Sequence, residues 1–552
     1  MRLPLVTFFL AGAAAAQVYP LRWVYVSRNL QQDAHVEDFR HIADIAAAHG
    51  LNGVLLAAGF DTIGRQSDAY FRRLAEVKRI AEERSLEIIP LFYSLGYAGG
   101  ILSHNRNLAA GLPVRDAVFV AGRGEARLLP DPDAAFVNPG FEDFSGNTAR
   151  GYRFHDSPGV ISFIDRDVFH SGSASLRFEN FAGNPHGHGR LMQEIQVKPY
   201  RCYRVSAWVK SEELQPASGF RIQVLTAEGR ALAPWDPRLP ATTEWRKLVF
   251  GFNSAANTVV RIYAGMWGGK SGKFWIDDLA IEEVGLVNVL RRDGTPIRVA
   301  GESSGLVYEE GADFAPIVDP LLNFRFDHDG PLIRLLPGGR IQEGERLLVS
   351  YYHGMSINNG QVAACMSEPE VHHILRHNAR IIHEKLAPKR WMLSVDEIRM
   401  GGSCEACKRR GLTMAQILGD HITQGFLMLR DINPDAEIWA WSDMFDPGHN
   451  ARNHYYLVDG DYTGSAEYIP RDLGIVCWYY NRRNESLAFF SGLGHRTLAG
   501  AYYDGDNLDN PKGWLEALAR TPGAMGIMYT TWQNKYGLLA AFGDLVSKPP
   551  GP

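Results

Sequence analysis

The sequence predicts an α/β protein: a (β/α)8 TIM barrel interrupted after its third strand by an all-β jelly-roll (β-sandwich) domain. Three observations carry this. Short β-rich runs alternate with amphipathic helical patterns at both ends of the chain, a long stretch between them shows alternating runs and turn residues but no long helical pattern, and the strand count exceeds by one what a closed barrel takes.

From residue 21 the pattern reads strand 22–27, helix 36–49, strand 53–58, helix 70–83 and strand 86–92, a βαβαβ run that requires a parallel sheet with right-handed crossovers. Near Pro130 the character changes and stays β-like to about residue 345. Helix and strand alternate again after Pro369: helix 370–386, strand 391–395, helix 412–431, strand 437–441, then strands at 474–480, 498–503 and 524–531. Residues 347–352 would be a ninth strand. No helix separates them from the β-rich stretch, so they are the surplus one, and the helix at 370–386 is the crossover into the fourth barrel strand. The expected organisation is a signal peptide at 1–16, barrel at 17–130, jelly roll at 131–286, a β-rich linker at 287–368 and barrel again at 369–552.

The chain has 552 residues, 45% hydrophobic and 22% charged, enough for more than one core. Its 57 basic and 62 acidic residues are dispersed, for a net charge of −5, which argues against nucleic acid or an anionic membrane as partner. Met1 and Arg2 precede an apolar run from Leu3 to Ala16 that is too short to span a bilayer and ends in small residues, the pattern of a cleaved secretory signal. A secreted or periplasmic protein without an integral membrane segment is expected. Five cysteines do not form a disulfide scaffold. Cys404 and Cys407 make a CxxC with no second CxxC or HxxxH nearby to complete a zinc site, so a local disulfide is the expectation.

A barrel of this kind places its active site at the C-terminal strand ends. The fourth strand ends Ser394-Val395-Asp396-Glu397. Neighbouring strand residues face opposite ways, so both carboxylates can serve one site only where the strand stops and the backbone turns; an Asp-Glu pair could equally cap the next loop. The other ends are rich in Trp, Tyr and carboxylate: Asp61 after the second, Trp441-Ser442-Asp443 on the fifth, Trp478 on the sixth, Tyr502-Tyr503-Asp504 on the seventh, and Trp532-Gln533-Asn534 on the eighth.

Over residues 20–110 and 370–540 this ordered set resembles glycoside hydrolase family 20, the β-N-acetylhexosaminidases. The resemblance implies Asp396-Glu397 as the family's Asp-Glu pair, Tyr502 and Asp504 as its Tyr-x-Asp, Trp441, Trp478 and Trp532 as its pocket tryptophans, Arg22 as its sugar-binding Arg, and Asp61 as its acidic residue after the second strand. Asn534 stands where the family usually has Glu, and the family's Pro-Gly-His after the third strand is missing, with His104 a loose substitute. The implied reaction is exo-acting removal of a terminal β-linked N-acetylhexosamine (GalNAc and/or GlcNAc), with the substrate's own acetamide oxygen as nucleophile. Glu397 would be the acid and base, with a pKa raised by burial and by Asp396. Asp396 would hold the acetamide N–H and stabilise the oxazolinium, and Tyr502 would orient the acetamide oxygen. No cofactor is implied for catalysis, and the partner is a glycan or oligosaccharide. Two other readings stay open: a two-carboxylate retaining glycosidase with Asp504 or Asp443 as nucleophile, and a noncatalytic glycan-binding protein.

Within the insertion, Asn138-Pro139-Gly140-Phe141-Glu142, the run from His170 to Leu176, Tyr203 to Lys210 and Phe274-Trp275-Ile276-Asp277-Asp278 resemble the jelly-roll carbohydrate-binding modules around families 4, 9 and 22. Trp208 and Trp275 are expected in its core, and Glu142 and Asp278, at the two ends of the module, could share a structural Ca²⁺.

Overall fold

A computed structural model describes residues 18–358 and 360–547; the expected signal segment lies outside the described residues. Eight strands close into a parallel barrel: β1 (Leu21–Ser27), β2 (Gly53–Ala57), β3 (Glu87–Phe92), β4 (Arg390–Leu393), β5 (Glu437–Trp441), β6 (Gly474–Cys477), β7 (Thr497–Tyr502) and β8 (Ala524–Thr530). Alternate residues point inward, so Trp23, Leu55, Ile89, Trp439 and Met528 fill the interior. Trp23 and Trp439 meet edge to face at 5.7 Å.

The outer layer comprises α1 (Ala34–Ala48), α2 (Asp68–Glu83), α3 (Pro369–Leu386), α4 (Met414–Ile432), α5 (Arg483–Gly492), α6 (Asp509–Leu518) and α7 (Leu539–Ser547). On α2 the buried Tyr70, Leu74, Val77 and Ile80 recur at helical spacing, and Ser67 caps the first turn by accepting from the Tyr70 N–H at 3.3 Å. Pro369 opens α3, and a reciprocal Thr413–Gln416 capping box opens α4. Among the described residues the β5-to-β6 crossover holds only the short strand Leu457–Val458 and a 3-10 turn, Ser465–Tyr468, in place of an α-helix.

The insertion enters between β3 and α3 and consists of two antiparallel bodies. One is a sandwich of two five-stranded sheets, whose faces meet through Trp235 stacked on Phe250 at 5.0 Å and Phe220 edge-on to Phe274 at 5.2 Å. The other is a six-stranded sheet. Arg346–His353 pairs there with Leu112–Gly122, so residues 347–352 do lie outside the barrel. This sheet moves two expected boundaries. Residues 112–128, assigned to the barrel from sequence, and the stretch 287–368, assigned as a linker, pair with each other into one unit. Arg201 of the sandwich donates to the carbonyl of Asp116 at 2.6 Å and joins the two bodies. Trp275 is buried, with its indole N–H donating to Asp165 at 2.9 Å. Trp208 is only half-buried because the inward phase of its strand falls on Tyr203, Val205, Ala207 and Val209; it stacks on His170 at 3.8 Å instead.

Barrel closure rests on β8 beside β1. A bulge at Met525 lets Leu498 pair with Gly526, and Gly526 lies against Leu21. A Cβ on Gly526 would sit 1.9 Å from the Leu21 carbonyl oxygen, a backbone atom that cannot move aside. Gly526→Ala should therefore lower the melting temperature by an amount equivalent to about 1–3 kcal/mol. Gly537→Ala, with no atom within 4 Å of the new methyl, should not. Equal melting temperatures for the two variants would contradict this closure.

Candidate active site

The C-terminal strand ends surround a cavity of about 510 Å³ lined by Tyr25, Asp61, Tyr97, Asp396, Glu397, Trp441, Trp478, Tyr503 and Trp532 among others. Trp441 is buried at 2% exposure, whereas Trp532 is 45% exposed, and their rings lie 6.0 Å apart. Trp478 and Tyr503 face each other nearly parallel at 6.0 Å. The cavity is thus an aromatic-walled recess with carboxylates on one side.

Both carboxylates enter it because β4 stops at Leu393 and the chain then leaves extended geometry, reaching φ +48° at Glu397. The Glu397 N–H donates to the buried Asp443 carboxylate at 2.9 Å, and the Glu397 carbonyl accepts from Gln361 at 2.7 Å. Gly96 presses on the same turn: a Cβ there would lie 2.1 Å from the Asp396 carbonyl oxygen. Ser394 donates its hydroxyl to Asp396 at 2.9 Å. The Glu397 carboxylate pairs with Arg399 at 2.7 Å and accepts from the Tyr97 hydroxyl, while Arg399 also donates to Gln361.

Burial, and then the charge of Glu397, pushes Asp396 up to about 6; burial, and then the charge of Asp396, pushes Asp443 up to about 7. Glu397, the expected acid and base, ion-pairs with Arg399, and the neighbouring Asp396 and Asp443 are the raised carboxyls. Asp443 also accepts from Asn450 at 2.9 Å and from the Trp478 indole at 3.3 Å. Burial lowers His449, edge-on to Trp478 at 4.6 Å, to about 4 and so keeps it neutral. The Tyr503 phenol is raised by burial and remains a donor.

Of the residues expected from sequence, Asp61, Asp396, Glu397, Trp441, Trp478 and Trp532 converge on the cavity. Asp61 also accepts from the N–H groups of Tyr93 at 2.8 Å and Ser94 at 3.3 Å, and its carbonyl sits 3.1 Å from His104 Nε2. Four expected residues stand elsewhere. Tyr502 is buried against Tyr529 at 4.1 Å, and Tyr503 lines the cavity in its place. Tyr502, Tyr503 and Asp504 take successive left-handed conformations (φ +78°, +57° and +63°), which breaks the strand's alternation. The Asp504 carboxylate accepts from the Trp532 N–H at 2.8 Å and the Gln533 N–H at 3.3 Å, so it anchors the loop that carries Trp532. Arg22 opens β1 at the opposite end of the barrel, where it donates to Gly50 at 2.8 Å. Asn534 accepts from Arg28 at 2.6 Å, and it is Arg28, just past the end of β1, that belongs to the active-site end.

Sequence reasoning missed Tyr25, Tyr97, Arg28 and Arg399 as site residues. Arg28 and Tyr25 were open to recognition from strand direction; Tyr97 and Arg399 lie on loops without a repeating signal. In the insertion, Glu142 accepts from Ser173 N–H and Oγ at 2.8 and 2.6 Å, and Asp278 accepts from His170 and Ser171. Both carboxylates flank the same turn, where the Asp277 carboxylate also accepts from the His170 N–H at 2.7 Å.

No family model matches the chain, and no curated protein matches it. Among solved structures, a family 4 carbohydrate-binding module is 15% identical over 27% of this chain and 99% of its own, with a TM-score of 0.22. The CBM22-1 xylan-binding domain of Paenibacillus barcinonensis Xyn10C is 16% identical over 30% of this chain and 99% of its own, with a TM-score of 0.21. A rhamnosidase from Novosphingobium sp. PP1Y is 12% identical over 94% of this chain and 56% of its own, with a TM-score of 0.33. At these levels the similarities assign the chain to no family.

The raised carboxyls make a stability prediction. An unfolded Asp titrates near ~3.9, so between that value and about 6–7 the folded protein keeps protons that the unfolded chain has released. Folding stability from this pair therefore falls as pH rises through that window, by about 1.4 kcal/mol per pH unit for each retained proton. Denaturant melts of Asp443→Asn should show a shallower decline from pH 4 to 7 than the wild type. Parallel curves would refute the coupling.

Proposed function

We propose that this chain is an exported, exo-acting β-N-acetylhexosaminidase working by substrate-assisted, retaining catalysis. The observation that carries the reading is the opening of Asp396 and Glu397 into one aromatic-walled recess that Tyr503 also lines. The 2-acetamido oxygen attacks the anomeric carbon as Glu397, which takes up a proton from solvent once the substrate has displaced Arg399, gives that proton to the departing oxygen; a bicyclic oxazolinium forms, and water activated by Glu397 then opens it. Asp396 accepts the acetamide N–H and stabilises the positive charge. Tyr503, whose phenol is protonated at neutral pH, donates to the acetamide oxygen and takes the part the resemblance gave to Tyr502. Trp441, Trp478 and Trp532 wall the acetamide methyl and the sugar face. In the free protein Glu397 pairs with Arg399, so the leaving oxygen must displace that contact.

Arg28 and Asn534, hydrogen-bonded past the ends of β1 and β8, are suited to the outer hydroxyls. Because Asn534 replaces an acidic clamp, GalNAc should be accepted at least as well as GlcNAc. The two-carboxylate alternative is weaker, because neither Asp443 nor Asp504 belongs to the cavity wall. A binder without catalysis would have no use for coupled acids beside an orienting tyrosine.

Kinetics on aryl glycosides test the proposal. The enzyme should cleave aryl β-N-acetylhexosaminides and not the 2-hydroxy analogues. Tyr503→Phe should lower kcat about 100-fold, the usual size for loss of one oriented donor, while Tyr502→Phe stays within a few-fold of wild type. Equal rates on both sugar classes, or a larger loss at Tyr502, would overturn it.

A further inference from the structure

The CxxC is part of a three-sulfur cluster. Cys365, Cys404 and Cys407 are all buried free thiols, and their Sγ atoms are separated by 3.5 Å (365 to 404), 3.8 Å (365 to 407) and 3.8 Å (404 to 407). A disulfide would bring two of them to about 2.05 Å and leave the third aside. Three sulfurs each about 2.3 Å from a tetrahedral zinc ion would stand about 3.8 Å apart, the spacing seen. Cys404 and Cys407 reach it from one short turn, Glu405–Lys408 with Cys404 as its cap, and Cys365 arrives from the segment that re-enters the barrel ahead of α3.

Two further observations point to a bound cation with excess thiolate charge. The buried Arg292 guanidinium lies 3.7 Å from Cys404 Sγ, fixed by Glu368 at 2.7 Å and the Ala109 carbonyl at 2.9 Å. Three thiolates around a divalent ion carry one net negative charge, which Arg292 offsets. The Tyr462 hydroxyl is buried without a hydrogen-bond partner among the described residues and lies 4.0 Å from where a Cβ on Gly401 would stand, on the loop that leads to Cys404. Such an orphaned group suits a water at the fourth ligand position.

We propose that Cys365, Cys404 and Cys407 bind one zinc ion as a structural site. Three S–H bonds lose their protons to solvent as three Zn–S bonds form, with no change of oxidation state. The ion would join the loop after β4, which carries Asp396, Glu397 and Arg399, to the strand-free segment bearing Gln361, whose side chain already holds Glu397 and Arg399. The inference does not depend on the sugar chemistry proposed above.

The test is metal content and thiol state of the purified full-length chain, before and after chelation and reloading with Zn²⁺ or Co²⁺ under reducing conditions. One zinc per chain after dialysis is expected, with a sulfur-to-cobalt charge-transfer band in the Co²⁺ form. Cys404→Ser and Cys407→Ser should each reduce the metal at least tenfold, whereas Cys202→Ala should retain it. If the serine variants do not fold, the wild-type stoichiometry decides alone. A wild-type chain that takes up no metal after reduction, or that carries a Cys404–Cys407 disulfide by mass, would overturn the proposal.

Discussion

The hydrogen bond from the Glu397 N–H to the buried carboxylate of Asp443, at 2.9 Å, is the interaction on which the site depends. Successive strand residues face opposite ways, so an Asp and a Glu side by side cannot share a cavity while the strand continues. Here the strand has ended, Glu397 holds a left-handed backbone, and Asp443 from the neighbouring β5 end fixes that conformation. The same carboxylate accepts from Trp478, so one buried acid orients both the dyad and part of the aromatic wall. Its burial beside Asp396 raises both carboxyls toward neutral pH, a perturbation of the kind that clusters at functional sites.

The insertion acts on this site through its return path. Gln361, from the segment leading back into the barrel, donates to the Glu397 carbonyl and accepts from Arg399, and Arg399 neutralises Glu397. Tyr97, from the loop that leaves β3, reaches Glu397 from the other side. The two ends of the interruption thus meet at Glu397. Interrupting the barrel after β3 places the entering and leaving segments next to β4, where the dyad stands.

The barrel was legible in the sequence because the strands are short, apolar and separated by helical periodicity, and the six site residues at ordinary strand ends followed from that. What was not legible had local causes. Tyr503 replaces Tyr502 because three consecutive left-handed residues reverse the inside-outside phase, and nothing in Tyr-Tyr-Asp announces that conformation. Arg22 opens its strand, and strand polarity alone places it at the far end from Arg28. Residues 112–128 form a local hairpin, 119–122 against 125–128, but read as barrel because the strand that ties them into the inserted sheet, Arg346–His353, lies more than two hundred positions later. Cys365 escaped for the same reason: it stands 39 residues from Cys404, outside any motif spacing.

The central claim is that Asp396, Glu397 and Tyr503 form a site complementary to a cyclised acetamido-sugar intermediate. Calorimetric titration with the sugar-derived thiazoline that mimics the oxazolinium measures this most directly, because affinity for such a mimic reports on groups that stabilise the charged bicyclic ring. The account predicts binding to the wild-type protein that weakens at least tenfold in Asp396→Asn and in Tyr503→Phe and is retained in Tyr502→Phe. Absence of binding to the wild type, or the same affinity in all four proteins, would contradict it.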